Sequence, residues 1–156
     1  MTGTPSEIHF EILPATWRDF SELRRLERTC FPVDAWPLLD LIGVLAFQNV
    51  VRLKAVIDTQ MVGFVAGEHR ASEGLAWIAT IGVLPPYQGK GVATALLGAC
   101  EERLLASRIR LSVRVGNYPA IRLYEGSGYQ RVGRWVEYYQ DGSDAIVFEK
   151  IFRSGL

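Results

Sequence analysis

The chain has 156 residues, of which 49% are hydrophobic and 22% charged, a composition typical of one globular domain with its own core. Lys plus Arg equals Asp plus Glu, at 17 each, so net charge does not support a role on nucleic acid or on an acidic membrane surface. No apolar run reaches the roughly 18 residues that span a bilayer. The N-terminal MTGTPSE does not resemble a signal peptide, and we therefore expect a soluble, cytoplasmic protein.

The periodicity of apolar residues predicts eleven elements in the order β-α-α-β-β-β-α-β-α-β-β. In chain order, these are a strand over 7–13, helices over 17–29 and 37–48, strands over 50–57, 61–67 and 75–83, a helix that follows the glycines and ends near 106, a strand over 109–115, a short helix capped by Asn117, and strands over 129–139 and 145–152. Hairpins joined by two helical crossovers predict a mixed, mostly antiparallel sheet of about seven strands with four helices, of the α+β class. Residues 1–6 are expected to be a flexible tail before a single domain over 7–156.

The two cysteines, Cys30 and Cys100, are far apart and lack the spacing of metal ligands. Each lies among apolar residues, so both are expected to be buried, reduced thiols. No metal site is predicted.

A candidate anion site lies at Val83–Ala93, VLPPYQGKGVA, where a predicted strand ends and a helix begins. The first turn of a helix has N–H groups without intrahelical partners, and glycines let an anion approach the backbone closely. The segment therefore predicts a site for a phosphate or pyrophosphate. A Walker A loop is excluded because Gly91, rather than Ser or Thr, follows Gly89-Lys90. A Rossmann fingerprint is disfavoured because Thr94 replaces its third glycine and the loop before it is too long.

A third pattern fits this segment, since Gln88-x-x-Gly91-x-Ala93 matches the Q/R-x-x-G-x-G/A signature of the GNAT superfamily of N-acetyltransferases. Downstream, the residues N-x-x-A-x-x-L-Y-E-x-x-G-Y over 117–129 resemble a second motif of that superfamily. The predicted element order also resembles its fold along the whole chain. This resemblance implies an acyltransferase that uses acetyl-CoA as co-substrate and transfers the acetyl group to a primary amine by direct attack on the thioester.

The resemblance also implies roles for individual residues. Backbone amides from Gln88 to Thr94 would hold the coenzyme A pyrophosphate, with contacts from Gln88, Gly89, Lys90, Gly91, Val92, Ala93 and Thr94. Lys90 is equally well explained as a solvated surface lysine. The pantetheine arm would lie along the strand end Ile81, Gly82 and Val83, which requires the strands over 75–83 and 109–115 to splay apart. A main-chain N–H near Ile81 or Gly82 would polarise the thioester carbonyl.

Two further side chains carry an implied role beside a simpler structural one. Asn117 would contact the cofactor, or it would only cap the helix that follows it. Tyr124 would protonate the departing thiolate as general acid, or it would only fill the core.

Among branches of the superfamily, the chain most resembles the ribosomal-protein-alanine N-acetyltransferases, through CFP (30–32), LSVRVGN (111–117) and EYYQDGSDAIVF (137–148). That branch has L-E-V-R, and its glutamate is the proposed general base, but Ser112 occupies that position here. The candidate substitutes are Glu68, His69, Glu137 or an ordered water chain. A non-catalytic acyl-CoA-binding or sensor module of the same fold is the alternative function, and a nucleotide-binding protein that uses the same loop is a third.

The acceptor side is less defined by the sequence. Tyr138 and Tyr139 are expected to alternate across their strand, so that only one faces the acceptor, with Asp34 and Trp36 on the opposite wall. A protein N-terminus, lysine, polyamine and aminoglycoside are all compatible acceptors, and the chain is either a monomer or a homodimer.

Overall fold

The computed structural model describes residues 7–32, 43 and 46–152, and its seven strands form one sheet. The strands are β1 Glu11–Pro14, β2 Val50–Ile57, β3 Gln60–Arg70, β4 Leu75–Val83, β5 Arg108–Arg114, β6 Gln130–Trp135 and β7 Ala145–Ile151. The helices are α1 Phe20–Cys30, α2 Val92–Leu104 and α3 Tyr118–Gly126, and short 3-10 turns occupy Trp17–Asp19, Ala71–Glu73 and Pro85–Tyr87. The sheet order is β1-β2-β3-β4-β5-β7-β6, with β4 and β5 the parallel pair, which confirms the predicted mixed sheet.

The predicted elements differ from the observed ones mainly at their ends. The first strand starts at Glu11 rather than at residue 7, since its pairing with β2 runs only from Glu11 with Val56 to Pro14 with Leu53. Three of the four predicted helices lie in the described residues. Most of the remaining one, over 37–48, lies outside them, as does the predicted tail over 1–6. At the end of that helix, the Phe47 N–H donates to the Gly43 carbonyl over 2.9 Å.

Helices cover both faces of the sheet at β3, which is buried from Met61 to Gly67. Successive side chains of a strand point to opposite faces. Phe64 and Ala66 accordingly join the apolar cluster under α1, whereas Val65 joins the larger cluster under α2 and α3. Within the described residues, no helix is long and apolar enough to cross a membrane.

The parallel strands β4 and β5 separate soon after they meet. They pair only at Ala76 with Ile109 and at Trp77 with Arg110. Beyond those two pairs, β4 stays bonded to β3 and β5 to β7, so the sheet opens between 78–83 and 111–114. The predicted splay is confirmed, and we call this opening the wedge.

Candidate active site

Two cavities meet at the wedge and form one groove. The first, the wedge cavity, has a volume of about 410 Å³ and lies between β4 and β5. The second, the loop cavity, has about 520 Å³ and lies between the end of β4, the start of α2 and α3. Both volumes are in the range of small-molecule sites. The residues that line both cavities are Cys30, Phe31, Ile81, Asn117, Ala120 and Tyr124.

The structure brings nearly all the predicted site residues to the loop cavity. Its lining includes Ile81, Gly82, Val83, Gln88, Gly89, Gly91, Val92, Ala93, Thr94, Asn117 and Tyr124. Lys90 is exposed and lies outside the lining of both cavities.

The loop before α2 presents its amides to the cavity. Gly89 and Gly91 have φ values of +73° and +85°, a left-handed conformation that glycine adopts without strain. The first intrahelical hydrogen bond of α2 runs from the Ala95 N–H to the Gly91 carbonyl, so the amides over 92–94 have no acceptor within the helix. The backbone N–H of Gln88 was also expected to bind the pyrophosphate, but it donates to the Pro85 carbonyl and closes the preceding turn.

The Gln88 side chain ties this loop to the strand before it. Its Nε2 donates to the Val83 carbonyl over 2.9 Å. This bond fixes where the loop begins relative to β4, and it explains in structural terms why an amide side chain suits the first position of the motif.

The edge of β4 presents the N–H groups of alternate residues to the wedge. The Leu84 N–H donates to the Val62 carbonyl on β3, and the register between β3 and β4 is regular from Thr80 to Val83. Amides of an antiparallel strand alternate in direction. The N–H groups of Gly82 and Thr80 therefore point to β3, whereas those of Ile81 and Val83 point into the wedge. Of the two amides expected near the thioester carbonyl, Ile81 is the one that faces the opening.

Helix α3 contributes Asn117 and Tyr124. The Asn117 Oδ1 accepts a hydrogen bond from the Ala120 N–H, so this residue caps the helix while it lines both cavities. Tyr124 is only 5% exposed, and its ring lies 6.0 Å from that of Phe148. Burial, with a smaller contribution from Tyr139, raises the pKa of the Tyr124 phenol. The phenol therefore keeps its proton at neutral pH.

The part of the wedge expected to receive the acceptor is aromatic. Tyr138 and Tyr139 both line the wedge cavity, and their rings meet edge to face at 5.1 Å. The expectation that only one of them faces the site is therefore wrong. Strand β6 ends at Trp135, and Glu137 has a φ of +51°, so the alternation of a strand does not extend to these tyrosines.

An ion pair fixes the rim beside these tyrosines. The Arg114 guanidinium lies 4.2 Å from the centre of the Tyr139 ring and 2.7 Å from an Asp141 carboxylate oxygen. The hydrogen bond from Arg114 is the largest cause that lowers the pKa of Asp141 to about 2.

None of the three side chains expected to replace the missing glutamate lines the groove. Glu68 and His69 pair with Trp77 and Ala76, at the end of β4 that still contacts β5. Glu137 lies outside both linings, and its N–H donates to Asp144. Among the described residues, the lining of the wedge cavity includes Ser112 but no carboxylate and no histidine. Asp34 and Trp36 lie outside the described residues.

One buried carboxylate next to the wedge was not predicted. Glu27 on α1 is 1% exposed, and its Oε1 accepts a hydrogen bond of 2.9 Å from the Thr80 hydroxyl. Its Oε2 is buried without a hydrogen-bond partner in the described part of the chain. Loss of solvation raises the pKa of Glu27 to about 7, although the bond from Thr80 lowers it. The spacing in the sequence does indicate this burial. Glu27 lies four residues after Leu23 and three before Cys30, which places it on the apolar face of the helix.

Comparison with known proteins agrees with this geometry. The model of the Acetyltransferase (GNAT) family matches residues 17–129. N-alpha-acetyltransferases of Saccharolobus solfataricus and Sulfolobus acidocaldarius are 29% and 30% identical, each over 90% of this chain and 92% of the relative. The ribosomal-protein-S18-alanine N-acetyltransferase of Escherichia coli superposes with a TM-score of 0.84 at 23% identity, over 94% of this chain and 97% of that one. The chain therefore belongs to the GNAT acetyltransferase family and is an acetyl-CoA-dependent N-acetyltransferase.

Proposed function

We propose that the acceptor is the α-amino group of a polypeptide N-terminus. The observation that carries this proposal is the lining of the wedge cavity, which is aromatic and neutral apart from Arg114. A polyamine or an aminoglycoside carries several ammonium groups, which need carboxylates as partners. The described lining residues supply none. The two archaeal relatives, both N-alpha-acetyltransferases, support the same acceptor class.

Coenzyme A would occupy the groove with its pyrophosphate at the loop and its thioester in the wedge. The pyrophosphate would accept hydrogen bonds from amides between Gly89 and Thr94, at the positive end of the α2 dipole. The pantetheine amides would pair with the Ile81 carbonyl and the Val83 N–H, as an added strand does. The Val83 carbonyl already accepts from the Gln88 side chain, and the Ile81 N–H is left for the thioester oxygen. Asn117 uses Oδ1 for its cap, so its Nδ2 is the donor that would reach the cofactor.

The reaction would be a direct transfer. The neutral amine attacks the thioester carbonyl carbon, and the Ile81 N–H donates to the oxygen that becomes negative. The carbon–sulfur bond then breaks, and the Tyr124 hydroxyl gives its proton to the departing thiolate. Coenzyme A would enter this arrangement from the end of the groove that holds the loop, and the amine from the end that holds Tyr138 and Tyr139.

The acceptor is tested with a peptide panel at saturating acetyl-CoA. The panel contains a peptide with a free N-terminus and no lysine, the same peptide with a formylated N-terminus, a formylated peptide with one lysine, and spermidine. Thiol release gives the rate, and mass spectrometry locates the acetyl group. We expect acetylation of the free N-terminus and none of its formylated match. Acetylation of only the lysine peptide or spermidine would overturn the proposal.

A further inference from the structure

The reaction needs a proton acceptor, because an α-amine is largely an ammonium at neutral pH, with an ordinary pKa of about 8. Ser112 has a hydroxyl where the related branch has a carboxylate, and the described lining of the wedge cavity has no carboxylate or histidine. The final acceptor of the proton is therefore either water or a carboxylate outside the lining that is reached through a residue of the groove.

Glu27 is the buried carboxylate that approaches the wedge. Its hydrogen-bond donor, Thr80, lines the wedge cavity and is half-buried, so one residue separates the carboxylate from the acceptor site. A β-bulge lies beside this threonine, since the register between β3 and β4 shifts and leaves Ala79 without a partner. Bulges re-aim side chains near active sites.

We propose that Thr80 receives a proton from the acceptor amine and passes its own hydroxyl proton to Glu27. Thr80 would contact the substrate, whereas Glu27 would act through Thr80 as a positioning and proton-holding residue. This inference rests on the acetyltransferase activity and adds to the proposed acceptor. The two residues are 53 positions apart in the chain and meet only in the fold.

The protons balance across the reaction. The ammonium loses one proton to the Thr80 oxygen as the Thr80 proton moves to the Glu27 Oε1, which leaves a neutral amine and a carboxylic acid. After attack and loss of the thiolate, the second amine proton replaces the one that Tyr124 gave to sulfur. Glu27 returns its proton through Thr80 to water once the products leave, so the net reaction releases one proton.

The surroundings of Glu27 suit this role. On its own helix, the titratable neighbour is Cys30, whose thiol donates to the Val83 carbonyl and which burial keeps protonated by raising its pKa to about 11. The exposed Arg24 and Arg28 lie on the solvent side of α1. Strand β4 carries no ionisable side chain, and those of β3, over 68–70, pair with the opposite end of β4. Among the described residues, no cation compensates the Glu27 charge, and its pKa of about 7 is close to that of an α-amine.

The test is the pH profile of kcat/KM for the acetylated peptide, measured for the wild type, Glu27→Gln, Thr80→Val and Thr80→Ser. We expect the wild-type rate to decrease below about pH 7, where Glu27 already holds a proton, and we call this decrease the enzyme limb. The peptide ammonium is the form that gives up its proton in this relay, so its protonation adds no further decrease on the acid side. Glu27→Gln and Thr80→Val should lower kcat/KM by about 100-fold and lose that enzyme limb. Thr80→Ser, which keeps the hydroxyl, should retain both rate and limb.

Calorimetric affinity for coenzyme A, measured in parallel, reports folding and should stay within about threefold in all variants. Glu27→Gln with the wild-type rate and limb would overturn the proposal, as would equal behaviour of Thr80→Val and Thr80→Ser. If the wild type acetylates an amine other than an N-terminus, the proposed acceptor fails, and the same four profiles on that amine decide the role of Glu27.

Discussion

Gly91 combines a left-handed backbone with open space where a side chain would be. An ideal Cβ on this residue meets nothing within 4 Å, so a substitution adds backbone strain but no clash. We expect Gly91→Asp to weaken coenzyme A binding about 10- to 100-fold more than Gly91→Asn, because the carboxylate faces the pyrophosphate. The two variants share shape and strain and differ in charge. Calorimetry gives the affinities, and equal values would remove the loop from the phosphate site.

Tyr124 holds its hydroxyl at the point where the two cavities meet. The Tyr124→Phe variant keeps the ring against Phe148 and Tyr129 and removes only the oxygen. We expect kcat to fall by about 100-fold, the usual scale of general acid catalysis, with little change in coenzyme A affinity. The rate of thiol release at saturating substrates gives kcat, and calorimetry gives the affinity for coenzyme A. A variant with wild-type kcat would mean that Tyr124 only fills the core.

Glu27 also makes the stability of the fold depend on pH. Its pKa is about 7 in the folded chain against an ordinary 4.5, so the folded state holds the proton more tightly than the unfolded state. This contribution is fully present below about pH 4.5 and is lost as the pH rises through 7. Relative to the wild type, Glu27→Gln should therefore gain about 2.5 kcal/mol between pH 5 and pH 8. Urea unfolding at pH 5 and pH 8 measures the difference, and the exposed Glu102→Gln, as a control, should show no gain.

Helix α2 lies against β3 at a distance that only glycine permits. A Cβ on Gly67 would lie 2.7 Å from the Leu104 Cδ1 and 2.9 Å from the Cys100 Sγ, whereas one on Gly98 of the same helix meets nothing within 4 Å. We expect Gly67→Ala to lower the free energy of unfolding by about 1–3 kcal/mol through overpacking. Gly98→Ala should raise it by about 1 kcal/mol through helix propensity. Denaturant titration compares the two, and a neutral Gly67→Ala would mean that α2 shifts at little cost.

Elements with a strong local signal were predicted best from the sequence. Strand β4 matches its predicted bounds because glycine and proline flank a β-rich run, and Asn117 caps α3 as its position before Pro119 indicates. The first strand of the closing hairpin was predicted too long, because no residue in the sequence around Glu137 indicates its positive φ. The Glu27–Thr80 contact could not be predicted, since periodicity places Glu27 on the buried face of α1 without saying which strand lies beneath it.

At the scale of the whole molecule, the sheet has two parts, β1–β4 and β5–β7, which are joined by two residue pairs between β4 and β5. If acetyl-CoA adds a strand in the wedge, its binding should slow hydrogen exchange at the Ile81 and Val83 amides, which point there. The amides of Gly82 and Thr80, which point to β3, are the internal control and should change little. Exchange measured by NMR with and without acetyl-CoA separates the two sets. Equal slowing in both would indicate general stabilisation instead.

The two-pair contact between β4 and β5 has a consequence for turnover. Among the described strands, the halves pair at one end of the wedge only, so the spacing at the other end depends on α2, which connects β4 to β5, and on the molecule that fills the gap. A substrate bound in the wedge thus contacts both halves of the sheet. When it leaves, the protein loses these contacts, and the two halves are held together less firmly. We therefore expect the lifetime of the product complex to depend on the rigidity of the sheet around the wedge.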